Sequence, residues 1–362
     1  MEMKFEPILE EGRKRPILMA GPCSAETEEQ VLAAAHGLKD AGLDYFRAGI
    51  WKPRTRPGNF EGIGRPGLGW LRKVKAETGM KVTTEVATKD HLFEALKHGI
   101  DAVWIGARTT VNPFAVQEIA DGLQGLDLPV FIKNPINPDI NLWVGAIERI
   151  YRSGIRKIAV IHRGFSNFGD SKYRNIPLWQ LPIELKRRFP DLTFICDNSH
   201  ICGNRELLHK VGQKALDLNY DGLMMEVHPD PAKAWSDAKQ QVTPAAFVEM
   251  ANKFVVRAKV FDDPKSKERI EHLRSEIDEI DESLYAILSK RMKVAEEIGQ
   301  YKKDNNIAIL QTDRWNEILE KAFLRGDEKG LSHRFMEKFL RAIHEESIDH
   351  QERVMANGKS SN

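Results

Sequence analysis

Short apolar runs recur along the first two thirds of the chain, with amphipathic stretches between them. Eight runs have the length and composition of buried β-strands, namely 16–20, 43–49, 81–86, 102–107, 129–134, 157–163, 193–199 and 222–228. Stretches such as 28–41 and 89–98 have a helical pattern, and Gly42 and Gly99 follow them. This alternation predicts an α/β fold. Because the eight predicted strands are apolar on both faces, we expect a (β/α)8 TIM barrel at 1–261. A doubly wound open sheet is the alternative.

The pattern changes after residue 261. A short charged segment, 262–267, contains Pro264 and is predicted to be a linker. From 268 to 303, apolar residues recur three to four positions apart with dense charge between them, which is typical of a long helix. Such a helix would be roughly 54 Å long, too long for a domain of this size to cover by itself.

The remaining residues continue the helical pattern. Two further helices are predicted near 313–325 and 332–355, so that 268–355 forms a small all-α domain. The last residues, 356–362, are predicted to be a disordered tail. Because the long helix needs a partner, we expect a homodimer or a higher homo-oligomer formed through the helical domain.

Composition narrows the class of protein. The 362 residues are 41% apolar, enough for a sizeable core in each of two domains. The net charge is +1, from 54 basic and 53 acidic residues, so no global field favours nucleic acid or a membrane as a partner. No apolar stretch approaches the length of a membrane span, and three cysteines are an odd, small number. We therefore expect a reduced, cytoplasmic protein.

Polar residues occupy the ends of the predicted strands. From the first strand to the eighth they are Cys23, Arg47, Glu85, Arg108, Lys133, His162 with Arg163, His200 and Glu226. In a (β/α)8 barrel the functional side chains collect at the carboxyl ends of the strands. We therefore expect residues distant in sequence to meet at one mouth of the barrel.

Four residues in these segments could bind a metal ion: Cys23, His200, Glu226 and Asp237. One thiolate, one imidazole and two carboxylates suit a divalent ion, and these ligand types alone do not choose among manganese, iron, cobalt and zinc. A lone cysteine near a strand end is more often a small buried hydrophobic residue. That interpretation is kept for the other two cysteines.

The mouth would also be strongly basic. It would hold the side chains of Arg47, Lys52, Arg54, Arg108, Lys133 and Arg163. So much positive charge around one cation predicts a substrate with more than one anionic group. The run Lys-Pro-Arg-Thr at 52–55 offers a lysine, a guanidinium and a hydroxyl on a stiff loop, which suits a phosphate.

Several short segments together resemble the 3-deoxy-D-arabino-heptulosonate 7-phosphate (DAHP) synthases of the short type I beta class. They are Gly-Pro-Cys-Ser at 21–24, Arg47 with Lys-Pro-Arg-Thr at 52–55, Ile-Gly-Ala-Arg at 105–108, Asp-Asn-Ser-His at 197–200, Glu-Val-His-Pro at 226–229 and Ser-Asp-Ala-Lys-Gln at 236–240. The resemblance covers roughly 1–261. It implies condensation of phosphoenolpyruvate with erythrose 4-phosphate to DAHP and phosphate, the entry step of the shikimate pathway.

A related branch makes an eight-carbon sugar acid phosphate from arabinose 5-phosphate. That branch usually carries Ala-Asn-Arg-Thr where this chain has Lys-Pro-Arg-Thr at 52–55. The resemblance therefore favours the four-carbon aldose.

The resemblance also implies roles for individual residues. The metal ligands would be Cys23, His200, Glu226 and Asp237. The groups that hold phosphoenolpyruvate would be Arg47, Lys52, Arg108, Lys133 and Arg163, with Lys133 also a catalytic proton carrier. Arg54 and Thr55 would hold the aldose phosphate. The expected cofactor is a divalent metal ion, Mn²⁺ in the first place, with Fe²⁺, Co²⁺ or Zn²⁺ as alternatives.

The helical part resembles the all-helical (AroQ-type) chorismate mutases over most of 267–355. The resemblance rests on Leu273-Arg274, Arg291, Gly-Gln-Tyr-Lys at 299–302, Asp313-Arg314, Ser347 and Gln351. It implies rearrangement of chorismate to prephenate without a cofactor. Lys302 and Gln351 would face the breaking ether bond, and Arg291 would be the third catalytic group. Substrate would be bound by Arg274 of the partner chain, Gln311, Arg314 and Ser347.

The chain departs from the mutase pattern at two positions. Gln311 stands where an aspartate is often found, and Trp315 stands where a glutamate usually follows the arginine. Gln311 can still form a hydrogen bond with the substrate hydroxyl, whereas the indole nitrogen of Trp315 can donate a hydrogen bond but cannot accept one. We therefore expect mutase activity with weakened contacts to the substrate hydroxyl.

Two active sites of one pathway on one chain suggest regulation. Our hypothesis is that prephenate or chorismate, bound at the helical domain, inhibits the synthase. The alternative is a DAHP synthase with one activity whose helical tail only dimerises or regulates it. A pure binding protein is the third possibility, but it would leave the metal and lysine arrangement without a use.

Overall fold

The computed structural model describes residues 3–9, 16–52, 58–167, 169, 171–258, 263–310 and 312–356, and it describes the backbone alone at 312–317. The chain divides into two units, Met1–Lys259 and Val260–Asn362. Among the described residues, no helix combines the length and the apolar character needed to cross a membrane.

In the described part of the first unit, eight parallel strands close into a barrel in sequence order. The strands are β1 (Ile17–Gly21), β2 (Tyr45–Arg47), β3 (Val82–Val86), β4 (Ala102–Ile105), β5 (Val130–Lys133), β6 (Ile158–His162), β7 (Thr193–Asp197) and β8 (Gly222–Glu226). Strand β1 pairs with β8 from Ile17 opposite Gly222 to Gly21 opposite Glu226. This closure confirms the predicted (β/α)8 barrel and excludes the open sheet.

Helices follow the strands. They are α1 (Glu28–Leu38), α2 (Pro66–Thr78), α3 (Lys89–Lys97), α4 (Ala107–Thr110), α5 (Pro113–Leu123), α6 (Ile140–Arg152), α7 (Gln180–Arg188), α8 (Asn198–Cys202), α9 (Leu208–Asp217) and α10 (Pro244–Asn252). Side chains such as Thr27, Thr88 and Asp139 accept hydrogen bonds from the first backbone N–H groups of α1, α3 and α6. The short helices α4 and α8 follow β4 and β7 directly.

Alternation along the strands divides the apolar side chains into two sets. One set packs against the helices. The other fills the inside of the barrel and includes Ile8, Met19, Tyr45, Trp104, Phe131, Ile161, Ile195 and Met224. Since successive strand residues point to opposite faces, the residues two positions further along also point inward. The barrel is thus filled with side chains below its mouth, and the chemistry is confined to the carboxyl ends of the strands.

The second unit consists, where described, of three helices: α11 (Pro264–Asp304), α12 (Thr312–Glu328) and α13 (His333–Ala356). Helix α11 begins at Pro264, inside the segment 262–267 that the sequence predicts as a linker. Asp263 accepts a hydrogen bond from Ser266 N at 2.8 Å, and a proline fits the first helical position, so this start is locally stable. The 41 residues of α11 give a length of about 62 Å.

Helix α11 has two different apolar faces. Met292, Ala295 and Gly299 are buried, and a Cβ on Gly299 would lie only 3.0 Å from the Cα of Gln351 in α13. A second stripe remains exposed within one chain, at fractions from 36% to 67%, and consists of Leu273, Ile277, Ile280, Leu284, Ile287, Val294, Ile298 and Tyr301. Its members are spaced alternately by four and three residues, the pattern of helices that pair with another helix. Arg291 occupies the one position that interrupts the stripe.

The predicted disordered tail, 356–362, falls outside the described residues except for Ala356, which ends α13.

Candidate functional site

The polar side chains at the mouth continue the inward-facing rows of the barrel. Tyr45, Phe131, Ile195 and Met224 fill the interior, and the residues two positions after them are Arg47, Lys133, Asp197 and Glu226. These four are buried, with at most 5% of any side chain exposed. The strand period therefore places basic and acidic groups together in the layer above the apolar filling.

Three of the four predicted metal ligands form one cluster. A ligand atom from each of Cys23, Glu226 and Asp237 lies within 4.8 Å of the other two. Cys23 Sγ is 3.4 Å from Asp237 Oδ2. The fourth residue, His200, lies at the edge of this cluster, with Nε2 3.7 Å from Glu226 Oε1. Residues from four separate segments of the chain thus meet at one point.

Local structure fixes the direction of His200. Helix α8 begins immediately after β7, and Asp197 Oδ1 accepts a hydrogen bond from His200 N at 3.1 Å as the helix cap. The other oxygen, Asp197 Oδ2, lies 2.8 Å from His200 Nδ1. This contact leaves Nε2 directed toward the cluster. Burial lowers the pKa of His200, which favours the neutral imidazole that a metal ion requires.

Two basic residues lie against the cluster. Arg47 Nη1 donates to Glu226 Oε1 at 2.8 Å, and Lys52 Nζ donates to Cys23 Sγ at 3.0 Å. Burial and, to a smaller extent, the carboxylate of Glu226 raise the pKa of the Cys23 thiol to about 12. Burial would also raise the pKa of Glu226, but the positive charges of protonated His200, Arg47 and Lys52 outweigh it and lower that pKa below its usual range.

This donor set fits a divalent metal ion. A buried thiol, two carboxylates and a neutral imidazole converge, and a cation between them would stabilise the thiolate that burial alone disfavours. The donors are of mixed hardness, so their types do not select one metal.

Lys133 forms a buried ion pair beside the cluster. Its Nζ lies 2.8 Å from Asp197 Oδ2, and the ammonium is also 5.7 Å from the ring centre of Trp104. Burial would raise the pKa of Asp197, but His200 and Lys133 outweigh it and hold that pKa well below its usual range. Asp197 therefore joins the predicted proton carrier to a predicted metal ligand.

A cavity opens above these groups. Among the described residues it is lined by Lys52, Glu85, Ala107, Arg108, Lys133, Arg163, Arg174, His200 and Asp237. Five of these side chains are basic and two are acidic, so the cavity suits a ligand with several negative charges. Burial lowers the pKa of Arg163 to about 10, which still leaves its guanidinium charged at neutral pH. Arg54 and Thr55, predicted to hold the aldose phosphate, lie outside the described residues.

Several residues of the mouth were not predicted from the sequence. They are Asp197, Arg174, Asn175 and Gln240. Arg163 Nη1 donates to Asn175 Oδ1 at 2.7 Å, and Arg174 Nη1 lies 2.8 Å from Asp237 Oδ1. The sequence contained two signals, the segments 197–200 and 236–240 that carry the resemblance and include Asp197 and Gln240. Arg174 and Asn175 lie in an irregular loop that gives no periodic pattern.

The helical unit brings three predicted mutase residues together. Arg291 Nη1 donates to Ser347 Oγ at 2.5 Å, between α11 and α13. Gln351 lies one turn beyond Ser347 and is buried, and its Oε1 has no hydrogen-bond partner in the part of the chain that the structure describes. Lys302, on α11, donates from Nζ to the backbone oxygen of Ile309 at 2.5 Å.

Of the remaining predicted mutase residues, Arg274 lies apart from this cluster. Arg274 is 17 residues before Arg291 on the same helix, a separation of about 26 Å along its axis. Its side chain is 63% exposed and pairs with Glu271. Gln311 lies outside the described residues, and the side chain of Arg314 is likewise not described.

Comparison with known proteins separates the two units. A model of the DAHP synthetase I family matches residues 3–259, more than half of the chain. The chain belongs to this DAHP synthetase I family. A second model, chorismate mutase type II, matches residues 273–352. The chain is therefore a bifunctional enzyme of the shikimate pathway with DAHP synthase and chorismate mutase domains.

Individual relatives agree with the family. The phospho-2-dehydro-3-deoxyheptonate aldolase of Thermotoga maritima is 34% identical over 233 residues, which cover 64% of this chain and 67% of that relative. The 2-dehydro-3-deoxyphosphooctonate aldolase of Vesicomyosocius okutanii is 29% identical over 62% of this chain and 84% of its own length.

Solved structures give the same picture. A crystal structure of the DAHP synthase from Thermotoga maritima has a TM-score of 0.60 at 32% identity, covering 66% of this chain and 68% of that one. A truncated form of the enzyme from the same organism has a TM-score of 0.58 at 29% identity, covering 66% and 85%. DAHP synthases are in general metal-dependent, and the ligand cluster of this chain agrees with that property.

Proposed function

We propose that the barrel mouth binds a divalent metal ion through Cys23, His200, Glu226 and Asp237 and condenses phosphoenolpyruvate with erythrose 4-phosphate. The observation that carries this proposal is the convergence of thiol, imidazole and carboxylate groups beside a basic cavity. When bound, the ion would orient or polarise the aldehyde of the aldose. Mn²⁺ is the proposed physiological ion, with Fe²⁺, Co²⁺ and Zn²⁺ as alternatives.

The basic residues that line the cavity, together with Arg47 beside Glu226, would hold phosphoenolpyruvate. Arg47, Lys52, Arg108, Lys133 and Arg163 are assigned to its phosphate and carboxylate. Guanidinium groups bind such anions with two parallel hydrogen bonds, and the low-dielectric mouth strengthens each contact. With the substrate fixed in this way, C3 is directed toward the aldehyde carbon, and attack by C3 forms the new carbon–carbon bond. Water then adds at C2 and inorganic phosphate leaves.

Lys133 is proposed to carry the proton that these steps require. It is buried, and Asp197 Oδ2 at 2.8 Å holds its ammonium in place. A proton given up by Lys133 would be returned from the water that adds at C2, so the lysine would be restored in each cycle. Arg54 and Thr55 are assigned to the phosphate of the aldose, on the basis of the Lys-Pro-Arg-Thr run at 52–55.

The synthase proposal can be tested on substrate and metal together. Full-length chain is treated with a chelator, and each of the four metals is then added back in separate samples. DAHP formation from erythrose 4-phosphate should return with the metal, fastest with Mn²⁺, and arabinose 5-phosphate should react poorly. Equal rates with both aldoses, or full activity after complete metal removal, would contradict the proposal.

For the helical unit, we propose that Arg291, Lys302 and Gln351 are the catalytic groups of the mutase. The supporting observation is the buried Gln351 Oε1 without a partner in the described region, close to the Arg291 and Ser347 pair. A buried polar atom without a partner is costly, and a bound substrate could provide the missing hydrogen bond through water or a hydroxyl. Arg314, Gln311 and Ser347 are assigned to substrate binding.

A homodimer is proposed to complete the mutase site. Arg274 is about 26 Å from Arg291 along α11, so one chain cannot bring both to one substrate. Two antiparallel copies of α11 would bury the exposed apolar stripe and would place Arg274 of one chain near Arg291 of the other. The chain is proposed to work in the cytoplasm, where its three cysteines remain free thiols.

Feedback inhibition of the synthase by prephenate or chorismate is the proposed reason for joining the domains. It is tested by measuring the synthase rate against added prephenate in the parent chain and in Arg291→Ala. Inhibition in the parent and its loss in the variant are expected. Equal inhibition of both would show that prephenate acts elsewhere.

A further inference from the structure

Arg174, in the loop between β6 and α7, contacts one acidic residue of the proposed metal site, Asp237, directly and the other, Glu226, through Gln240. Its Nη1 lies 2.8 Å from Asp237 Oδ1 and donates to Gln240 Oε1 at 2.8 Å. Gln240 Nε2 donates in turn to Glu226 Oε2 at 2.6 Å. These contacts leave the second oxygen of Asp237 facing Cys23 Sγ, 3.4 Å away. One guanidinium therefore selects which carboxylate oxygens face the site.

The segment that Arg174 holds is locally strained. Asp237 has φ +49°, in the left-handed region that side-chain-bearing residues rarely occupy. Gln240 N donates to Asp237 O at 3.1 Å, which closes a turn between the two residues. Arg174 contacts the side chains at both ends of this turn. It can therefore stabilise a conformation that the backbone alone disfavours.

The position of Arg174 is itself fixed by the fold. Its N–H donates to the carbonyl of Cys202 at 3.3 Å, at the end of the helix that carries His200. Gly203 follows with φ +70°, and a Cβ there would lie 2.5 Å from the Cβ of Arg174. The next residue, Asn175, donates from Nδ2 to His200 O at 2.6 Å. The loop that carries Arg174 thus packs directly on α8, the helix that carries the predicted ligand His200.

We propose that Arg174 is a positioning residue which, with Gln240, holds the carboxylates of Asp237 and Glu226 in the arrangement that binds the divalent ion. Groups that orient metal ligands typically change metal affinity about 10- to 100-fold when they are removed. The inference rests on the proposed metal site. Because Arg174 also lines the cavity beside Arg163, the competing role is direct binding of an anionic substrate.

The test measures metal affinity and does not depend on turnover. Chelator-treated full-length chain is titrated with Mn²⁺, and free Mn²⁺ is followed by its electron paramagnetic resonance signal. Arg174→Ala should raise the Kd for Mn²⁺ about 10- to 100-fold. Arg174→Lys keeps one charged contact and should lose less affinity for Mn²⁺ than Arg174→Ala. At saturating Mn²⁺ the KM for phosphoenolpyruvate should stay near that of the parent.

Arg205→Ala is the matched control. Arg205 holds the same segment, but through the backbone oxygens of Ala238 at 2.8 Å and Gln241 at 2.6 Å. Among the described residues it touches no carboxylate. The Kd of Arg205→Ala for Mn²⁺ should remain within about 3-fold of that of the parent. Removal of a hydrogen bond changes metal affinity about 10-fold or more when that bond is made to a metal-ligating side chain, and Arg205 makes none in the described part of the chain. An equal loss in both variants would mean that any anchor of this segment supports metal binding, and the inference would be wrong.

Further outcomes distinguish a failure of the positioning role of Arg174 from a failure of the proposed metal site. An unchanged Kd for Mn²⁺ in Arg174→Ala, with a raised KM for phosphoenolpyruvate, would overturn the positioning role and assign Arg174 to the substrate. If the alanine variant does not fold, as judged by circular dichroism, Gln240→Leu tests the same bridge and should also weaken binding. Failure of the parent itself to bind Mn²⁺ would overturn the proposed metal site and the inference together.

Discussion

Lys133 Nζ lies 2.8 Å from Asp197 Oδ2, and at most 5% of either side chain is exposed. The same carboxylate oxygen is 2.8 Å from His200 Nδ1. One buried oxygen therefore connects the proposed proton carrier to a proposed metal ligand. Buried ions are stable only as long as their partners remain, so this arrangement should be sensitive to removal of the shared charge.

Asp197→Asn removes that charge at nearly constant size. We expect the free energy of unfolding of the metal-free barrel to fall by about 3 kcal/mol or more, because Lys133 is left buried without its counter-ion. Urea unfolding followed by tryptophan fluorescence measures this, since six of the seven tryptophans lie in the barrel.

Asp127→Asn is the control for this change. Asp127 pairs with Lys157 at 2.7 Å, but its side chain is 77% exposed. Exposed pairs contribute roughly 0 to 1 kcal/mol, so this variant should be almost as stable as the parent. Similar losses in the two variants would contradict the special role of the buried pair.

Metal binding should stabilise the barrel and not the helical unit. Mn²⁺ at 100 times its Kd should add about 2.7 kcal/mol to the free energy of unfolding of the barrel. Cys23→Ala should abolish most of this increment. Cys196→Ala, on the helix-facing side of β7, should lower the baseline stability but keep the increment. An increment that survives in Cys23→Ala would remove the thiol from the proposed ligands.

His162 should make the barrel sensitive to mild acid. Its Nε2–H donates to Pro177 O at 2.6 Å, its Nδ1 accepts from the Tyr220 hydroxyl at 3.0 Å, and burial lowers its pKa to about 3. The unfolded chain, with a pKa near 6.5, then binds more protons between these values. Stability should therefore fall as the pH falls through this window, by up to about 1.4 kcal/mol per pH unit from this residue.

The measurement is urea unfolding at pH 7.5, 6 and 5. His162→Gln removes the titrating group, so its stability should change less between these pH values than that of the parent, whatever its absolute stability. The comparison is limited to pH 5 and above, because carboxylates begin to titrate at lower pH. Parallel curves for the two proteins would mean that His162 does not contribute to acid sensitivity.

The exposed stripe on α11 should decide the oligomeric state. Ile280 is 65% exposed within one chain and lies in the stripe. Ile280→Arg should shift the protein to a monomer in analytical ultracentrifugation and reduce chorismate turnover, because each chain would then bury a charged side chain in an apolar interface. Glu282→Arg places the same side chain off the stripe and should leave the dimer intact. A parent chain that sediments as a monomer would contradict the proposed interface.

Strand ends could be predicted because their positions depend on periodicity. Cys23, Lys133 and Glu226 follow apolar runs, and parallel strands in a closed barrel bring their carboxyl ends to one mouth. The start of α11 could also have been placed at Pro264, since Asp263 followed by proline is a helix-capping pattern. The charged character of 262–267 suggested a linker instead.

Loop contacts could not be predicted in the same way. Arg174 and Gln240 come together only because Asp237 adopts a positive φ and Gly203 leaves room beside Arg174. Both features depend on the tertiary conformation of irregular loops, which produces no periodic pattern in the sequence. The same holds for the choice of Asp197 Oδ2 as the shared partner of Lys133 and His200.

We propose that one chain carries two active sites of different chemistry and that only the synthase site requires a metal ion. The measurement follows phosphoenolpyruvate loss with erythrose 4-phosphate, and chorismate loss, in separate aliquots of the same chelator-treated and Mn²⁺-restored protein, for the parent, Cys23→Ala and Arg291→Ala. We expect synthesis to require Mn²⁺ and to be lost in Cys23→Ala, while chorismate loss proceeds without metal and falls about 100-fold or more in Arg291→Ala. Loss of both activities on metal removal, or no chorismate turnover in the parent, would contradict the account.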